Sequence, residues 1–215
     1  MRTETVTIPE HTITTTYYEY DELSDDAKEN VKEWYLENRE PWEFSDMVND
    51  DLINLFGKNN LDVEYSLSYS QGDGLNIFGN ISADSIFECL ENHNAGTMFE
   101  KYENMFTDAE KQTLLEYQKW CHLIELPRND RYGYCMASSI DIFDSWTYDL
   151  ECAEVEDIDS DLLSDFEAMV MDMFTDLCKF YEDWGYEFFY EIDDSEMSDI
   201  CSCNDWEFDE DGTLL

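Results

Sequence analysis

Residues 160–185, SDLLSDFEAMVMDMFTDLCKFYEDWG, carry the most extended apolar periodicity in the chain. Apolar side chains recur every three or four residues along the stretch, which predicts one face of a long amphipathic helix. This stripe consists of Leu162, Leu163, Phe166, Met169, Val170, Met173, Phe174, Leu177, Phe180, Tyr181 and Trp184. Gly185 follows the last of them and predicts the end of the helix. A methionine-rich and aromatic stripe of this kind is typical of a buried core.

The segments around the stripe predict further helices. Ser24 is a suitable N-cap for a helix that uses Ala27, Val31, Trp34 and Tyr35. A second helix follows Pro41, uses Trp42, Met47, Leu52, Leu55 and Phe56 as its apolar residues, and ends at Gly57. Shorter helices are predicted at 83–91, at 107–121 with Thr107 as the cap, and at 195–201.

Other segments predict antiparallel strands. Residues 61–70 and 75–82 alternate around the turn QGDG at 71–74, which is the clearest hairpin pattern in the chain. Strands are also predicted at 12–20, at 131–144 paired with 145–156, and at 186–192, with a strand and turn in DWEFDEDG at 205–212. We therefore predict an α+β fold in which hairpins pack against amphipathic helices. Residues 1–215 form a single acidic domain, with 125–130 as its one candidate subdivision.

Charge is the unusual property of this chain. Fifty-four acidic residues and eleven basic residues give a formal net charge of −43. On a smooth sphere with a radius of gyration of roughly 17 Å, this amounts to about one excess charge per 140 Å², close to the ~110 Å² per charge of a B-DNA cylinder. Such a surface repels phosphates, which strongly disfavours direct binding to nucleic acid and predicts a basic partner.

A simpler explanation of the charge is halophilic solvation or solubility. The chain also contains six Trp, fourteen Tyr and thirteen Phe residues, which is more apolar mass than a solvated surface requires. The sequence shows neither a signal peptide nor a membrane span. Seven cysteines without the dense spacing of a secreted scaffold predict free thiols, several of them in the core, and a reducing cytoplasm.

Metal and catalytic motifs are weak. Asp157, Asp159 and Asp161 match the first three ligand positions of an EF-hand loop, but Leu162 and Ala168 occupy the positions that require Gly and a bidentate Glu. Cys201 and Cys203 lack the spacing and the second ligand pair of a zinc site. His11, His93 and His122 are scattered along the chain. We therefore predict no metal, no cofactor and no enzymatic activity.

The arrangement of the acidic residues is more informative. On the long helix, acidic residues oppose the apolar stripe, and Lys179 is the only cation between 154 and 190. An ordinary solvated helix face mixes both signs of charge. The predicted partner-binding residues are Asp157, Asp159, Asp161, Asp165, Asp172 and Asp176 on this helix and its approach, Asp25, Asp26, Glu29 and Glu33 on the first helix, and Asp209, Glu210 and Asp211 near the C-terminus.

Three segments together resemble a family of small acidic phage and plasmid proteins, some of them labelled antitoxin-like. They are YYEYDELSDDAKENVKEWY at 17–35, YSLSYSQGDGLNIFG at 65–79 and CSCNDWEFDEDG at 201–212. The resemblance implies an origin in a mobile element and supplies no catalytic residues. In its charge the chain is also similar to the DNA-mimic inhibitors of phages, which include anti-restriction and anti-CRISPR proteins.

The sequence thus leads to two hypotheses. In the first, the protein is a DNA mimic that occupies the basic groove of a host defence nuclease, either a CRISPR effector or a restriction enzyme. In the alternative, it is an antitoxin-like protein that neutralises one basic partner by specific docking. The alternative predicts an aromatic anchor, such as a tryptophan, at the centre of the interface. Neither hypothesis predicts an oligomeric state.

Overall fold

The apolar stripe forms the central helix of the structure. The computed structural model describes residues 2–8, 11–58, 60–93, 97–129, 133–136 and 139–215. Helix α6 runs from Ser160 to Tyr190, and its apolar residues are buried along most of its length. Phe180 is the member of the predicted stripe that stays half exposed. The predicted helix start and its core role are confirmed.

The α+β class is also confirmed. The other helices are α1 (Asp25–Glu37), α2 (Pro41–Phe56), α3 (Ala83–Asn92), α4 (Asp108–Gln118), α5 (Phe143–Cys152) and α7 (Asp194–Cys203), and the strands are β1 (Arg2–Ile8), β2 (His11–Tyr17), β3 (Asn60–Ser66), β4 (Gly74–Ile81) and β5 (Ile124–Leu126). Short 3-10 helices lie at Tyr20–Glu22 and Met98–Lys101. In the described residues the strands form two antiparallel sheets, in the orders β1-β2 and β3-β4-β5.

Local signals predicted several elements well. The Ser24 hydroxyl accepts a hydrogen bond from the Ala27 amide, and Thr107 forms a capping box with Glu110. The bounds of α2 agree with the prediction, but its buried face consists of Phe44, Val48, Leu52 and Phe56. Trp42 and Met47, which were predicted to be on that face, are exposed. The sequence therefore predicted the bounds of α2 correctly but assigned the wrong residues to its buried face.

The end of α6 differs from the prediction. Gly185 lies inside the helix, and residues 186–190 continue it, so the strand predicted at 186–192 is wrong. A Cβ atom at Gly185 would lie 2.3 Å from Cδ1 of Leu67 and 2.9 Å from Cζ of Phe44. The glycine is therefore required for close packing and does not terminate the helix.

The strand pair predicted at 131–144 and 145–156 is also wrong. Residues 143–152 form α5, and residues 131–132 and 137–138 lie outside the described residues. The Glu167 carboxylate of α6 accepts hydrogen bonds from the amides of Ile142 and Phe143, each at 2.8 Å. These bonds satisfy free amides at the start of α5. The cap comes from a residue 25 positions away in sequence, so no local pattern indicates it.

The chain divides into two compact units, which we call the terminal unit (Met1–Pro41 and Tyr186–Leu215) and the central unit (Trp42–Gly185). Neither boundary lies near 125–130. The core of the terminal unit contains Tyr20, Leu23, Ala27, Val31, Met197, Cys201 and Phe208. In the central unit, aromatic rings pack on α6: Phe87 and Trp146 contact Phe166, and Phe56 stacks on Phe174.

Candidate functional site

Four aspartates form the outer face of α6. This α6 acidic face consists of Asp161, Asp165, Asp172 and Asp176. At 3.6 residues per turn, the four positions fall within about 60° of arc, and the rise from Asp161 to Asp165 is about 6 Å. The first three are exposed, and among the described residues no cation lies within salt-bridge distance of them. The buried stripe on the opposite side holds this face in place.

Asp176 differs from the other three residues of the face. Its carboxylate forms an ion pair with Lys101 and accepts a hydrogen bond from the Tyr102 hydroxyl at 2.7 Å. Burial alone raises the pKa of Asp176, but the hydrogen bonds from Lys101 and Tyr102 outweigh it, so the pKa lies below its usual value. Asp176, one of the predicted partner-binding residues, therefore already has a cationic partner inside the protein.

Lys101 was missed because it comes from the 3-10 helix at Met98–Lys101, 75 residues before its partner. The interval in sequence carries no signal that the two residues meet. A second cation, Lys179, pairs with Asp183 at 2.7 Å one turn further along α6. The part of the acidic face without ion pairs is thus its N-terminal part.

The approach to α6 has a structural role. The Asp159 carboxylate accepts a hydrogen bond from the Leu162 amide at 3.0 Å, and its own amide donates to the Tyr117 hydroxyl. Asp159 therefore caps the helix. Asp157 is exposed and has a φ of 57°. Among the described residues, no group of three His, Cys, Asp or Glu side chains is placed to hold a metal ion.

The predicted acids of the terminal unit come together in one surface. The Asn30 side chain on α1 donates to the Asp211 carbonyl at 3.0 Å, which joins α1 to the C-terminal turn. Asp209 holds that turn by accepting from the amides of Asp211 and Thr213. The exposed acids of this surface are Asp25, Asp26, Glu29, Glu33, Glu210 and Asp211.

Cations lie within this surface as well. Lys32 pairs with Glu29 at 2.5 Å and with Asp194 at 2.8 Å, so two of the local charges are partly neutralised. The hydrogen bonds that the Lys32 ammonium group donates to Asp194 and Glu29 raise the pKa of Lys32, which keeps it protonated. The surface on α1 is therefore less uniformly negative than the N-terminal part of the α6 acidic face.

The terminal unit also contains an acidic cleft that the sequence did not indicate. Its volume is about 580 Å³, and Tyr20 and Trp206 are among its lining residues. The charged residues of its lining are Arg2, Glu19, Asp21, Asp199, Asp205 and Glu207. Arg2 forms two hydrogen bonds with Glu207, at 3.0 and 2.7 Å. Because its carboxylates come from residues 19–21 and 199–207, which are far apart in sequence, no single stretch of sequence predicts it.

The accessible surface reduces the average charge density. The accessible surface area is 12,982 Å², so the net charge of −43 corresponds to about one charge per 300 Å². The smooth sphere used above has less than half this area because it ignores the relief of side chains. The ~110 Å² per charge of B-DNA was likewise taken on a smooth cylinder, so it compares only with the smooth-sphere value, and an average of either kind does not show which local face resembles DNA.

The cysteines differ in their burial. All seven are free, and Cys89, Cys178 and Cys201 are buried. Burial raises the pKa of the Cys121 thiol to about 12, although His122 is its neighbour in sequence. The His122 ring nitrogen Nδ1 contacts Asp149 Oδ2 at 2.7 Å and so binds a different partner. A thiol with so high a pKa is a poor nucleophile at neutral pH.

Several large aromatic side chains are exposed. Trp42, Trp120, Tyr69 and Tyr148 have exposed fractions of 60–68%. Within the described residues, no helix is both long enough and apolar enough to cross a membrane. No protein-family model, curated protein or solved structure matches this chain. The resemblance to acidic phage and plasmid proteins therefore stays a prediction.

Proposed function

We propose that this protein is a phage-encoded DNA mimic that occupies the basic nucleic-acid-binding groove of a host defence nuclease, of the CRISPR-effector or restriction type. The observation that carries the proposal is the exposure of Asp161, Asp165 and Asp172 on one face of α6, a helix whose opposite face is buried. Successive rises of about 6 Å and 10.5 Å along α6 are close to two and three phosphate spacings of 3.4 Å.

Inhibition follows from electrostatics and exclusion. A one-signed face attracts a basic groove over a distance of about a Debye length and raises the association rate. Once bound, the inhibitor occupies the positions of the phosphates, and the Lys and Arg side chains of the groove contact carboxylates in their place. This role requires no metal, cofactor or catalytic residue. It also fits action in the host cytoplasm, where free thiols persist.

The decisive experiment is competition between duplex DNA and this protein for a purified CRISPR effector or restriction enzyme. The proposal predicts that bound DNA is displaced, that cleavage stops, and that the affinity of the inhibitor falls steeply with salt. The proposal is wrong if the effector binds DNA and this protein together and keeps its activity.

The second candidate is an antitoxin-like protein that neutralises a single basic partner by docking. Its supporting observation is the exposure of Trp42 and Trp120, each of which offers the kind of ring that anchors interfaces. Docking of this type predicts that Trp120→Ala or Trp42→Ala weakens binding more than neutralising three acids does. Mimicry predicts the reverse order.

A further inference from the structure

The loop that contains the SQGDG motif is unusually well fixed. Residues 67–73, which connect β3 to β4, are called the Tyr69 loop below. The Asp73 carboxylate accepts hydrogen bonds from the amides of Ser68 and Ser70, at 2.6 and 2.9 Å. It also accepts from the hydroxyls of Ser66, Ser68 and Ser70. One side chain thus holds both neighbours of Tyr69.

Two further contacts anchor this loop to the central unit. Leu67 is buried, and its Cδ1 atom occupies the space left by the missing Cβ of Gly185 on α6. At the other end, the Cys135 thiol donates to the Gly72 carbonyl at 3.7 Å. The loop is therefore fixed at its start, at its centre and at its end. Loops with such support lose little conformational entropy when they bind.

Tyr69 projects from the centre of this loop in a strained conformation. Its φ is 54°, in the left-handed region that favours glycine, and 68% of its surface is exposed. A bulky residue persists in that region where the surrounding structure over-determines it, and such outliers cluster at functional sites. The segment SYSQG also has the composition of antibody binding loops, in which rigid tyrosines supply contact area and serines supply adaptable hydrogen bonds.

We propose that the Tyr69 loop is a preformed recognition loop whose tyrosine ring packs against an arginine side chain of the basic partner. The inference rests on the proposed function for one premise, that the partner surface is basic. A guanidinium stacks on an aromatic face and is less strongly hydrated than an ammonium group, so a tyrosine ring favours arginine over lysine. The overall negative charge of the protein brings such a surface to the loop.

The first test uses the nuclease that the wild-type protein inhibits. Tyr69→Gly removes the ring and suits the left-handed backbone, so the loop keeps its shape. We expect inhibition to weaken by about tenfold or more, the range of interface anchors. Tyr148→Gly is the matched control, because Tyr148 is 67% exposed on α5. A glycine inside a helix lowers the stability of the fold, so the two variants are compared at equal concentrations of folded protein. Under that condition we expect Tyr148→Gly to change inhibition by less than about twofold. Equal losses from both variants would overturn the inference.

The second test does not depend on any nuclease. The protein is labelled with 3-fluorotyrosine, and the Tyr69 and Tyr148 resonances are assigned from their absence in Tyr69→Phe and Tyr148→Phe. Decaarginine and decalysine peptides are then titrated into it. We expect the Tyr69 resonance to respond to decaarginine at a concentration at least about threefold lower than to decalysine, and Tyr148 to show no such preference.

The same experiment on Asp73→Ala shows whether the arginine preference requires the fixed loop or only an exposed tyrosine ring. This variant keeps Tyr69 but loses the four hydrogen bonds that hold Ser68 and Ser70, together with the one from Ser66, and the arginine preference should disappear. A Tyr69 resonance that responds no more than that of Tyr148 would contradict the inference, whatever the nuclease assay shows. Failure of the wild-type protein to displace DNA would instead contradict the proposed function and leave the peptide result to decide the role of the loop.

Discussion

The two ends of the α6 acidic face have the same residue type at helical spacing but different surroundings. At the N-terminal end, Asp161, Asp165 and Asp172 are exposed and have no cation within salt-bridge distance among the described residues. At the C-terminal end, Asp176 is tied to Lys101 and Tyr102. One end therefore leaves its charge available to a partner, and the other uses its charge inside the protein.

Stability alone does not account for the exposed end. Asp161 lies in the first turn of α6, where the helix dipole favours a negative charge by about 0.3–1 kcal/mol. Asp165 follows it at i+4, where like charges destabilise a helix by a few tenths of a kcal/mol. Asp172 is far from the N-terminal end of α6, so the helix dipole does not stabilise its charge. Helix stability therefore does not explain all three charges.

The largest expected effect is the loss of inhibition when the exposed end is neutralised. In Asp161→Asn/Asp165→Asn/Asp172→Asn, three charges that contribute up to about 1 kcal/mol each are removed. The affinity for the nuclease should fall by on the order of ten- to a hundredfold, and its salt dependence should flatten. Inhibition titrations at several salt concentrations measure both, and circular dichroism checks the fold.

A matched control for this variant lies on α3. Asp84, Glu88 and Glu91 are three exposed acids at helical spacing in the same unit, and their neutralisation removes the same net charge. We expect that variant to retain most of its potency. Similar losses from the two triple variants would show that net charge, and not the α6 acidic face, drives binding.

The next effect concerns stability and should appear only at the other end of the face. Asp176→Asn weakens the contacts with Lys101 and Tyr102 and should lower the free energy of unfolding by about 1 kcal/mol, since partial exposure screens the pair. Asp172→Asn, one turn earlier, should change it by less than about 0.5 kcal/mol. Urea unfolding measures both variants. An Asp176→Asn protein as stable as the wild type would show that the contacts of Asp176 with Lys101 and Tyr102 do not stabilise the fold.

The difference in stability between the wild type and Asp176→Asn should depend on pH. The pKa of Asp176 is lower in the folded protein than its usual value, so its ionisation favours the folded state. The contribution is fully present above the unfolded pKa of about 3.9 and is lost as the pH falls through the folded pKa. The stability gap between wild type and Asp176→Asn should therefore be constant near neutral pH and close below about pH 4. A gap that persists in acid would indicate packing and not charge.

The contrast between the two ends also shows what the sequence could predict. Local chemistry fixed the N-caps at Ser24 and Thr107, the β3–β4 hairpin and the start of α6, because their signals lie within a few residues. Three features that the sequence did not predict involve distant partners. Glu167 caps α5 from another helix, Leu67 and Phe44 explain Gly185, and Lys101 neutralises Asp176.

The candidate site follows the same rule. The sequence located the acids and their helix face correctly, since periodicity alone decides which residues oppose an apolar stripe. It could not show which acids remain unpaired, because that depends on where the cations of other segments are placed. Nor could it show that Asp73 gathers three serines around Tyr69, since the predicted turn covered only residues 71–74.

The smallest expected effect is that of a single charge at the exposed end. A field is the sum of many contributions, so Asp165→Asn removes at most about 1 kcal/mol and should weaken inhibition by less than about fivefold. Asp161→Asn and Asp172→Asn should behave alike, and the three losses should add up to that of the triple variant to within a few tenths of a kcal/mol, the size of the coupling between Asp161 and Asp165 one turn apart. Inhibition titrations of the three single variants under one salt condition provide the test. A tenfold loss from Asp165→Asn alone would mean that this carboxylate makes one specific, desolvated contact, and the α6 acidic face would then be a docking site with an anchor instead of a mimic of phosphates.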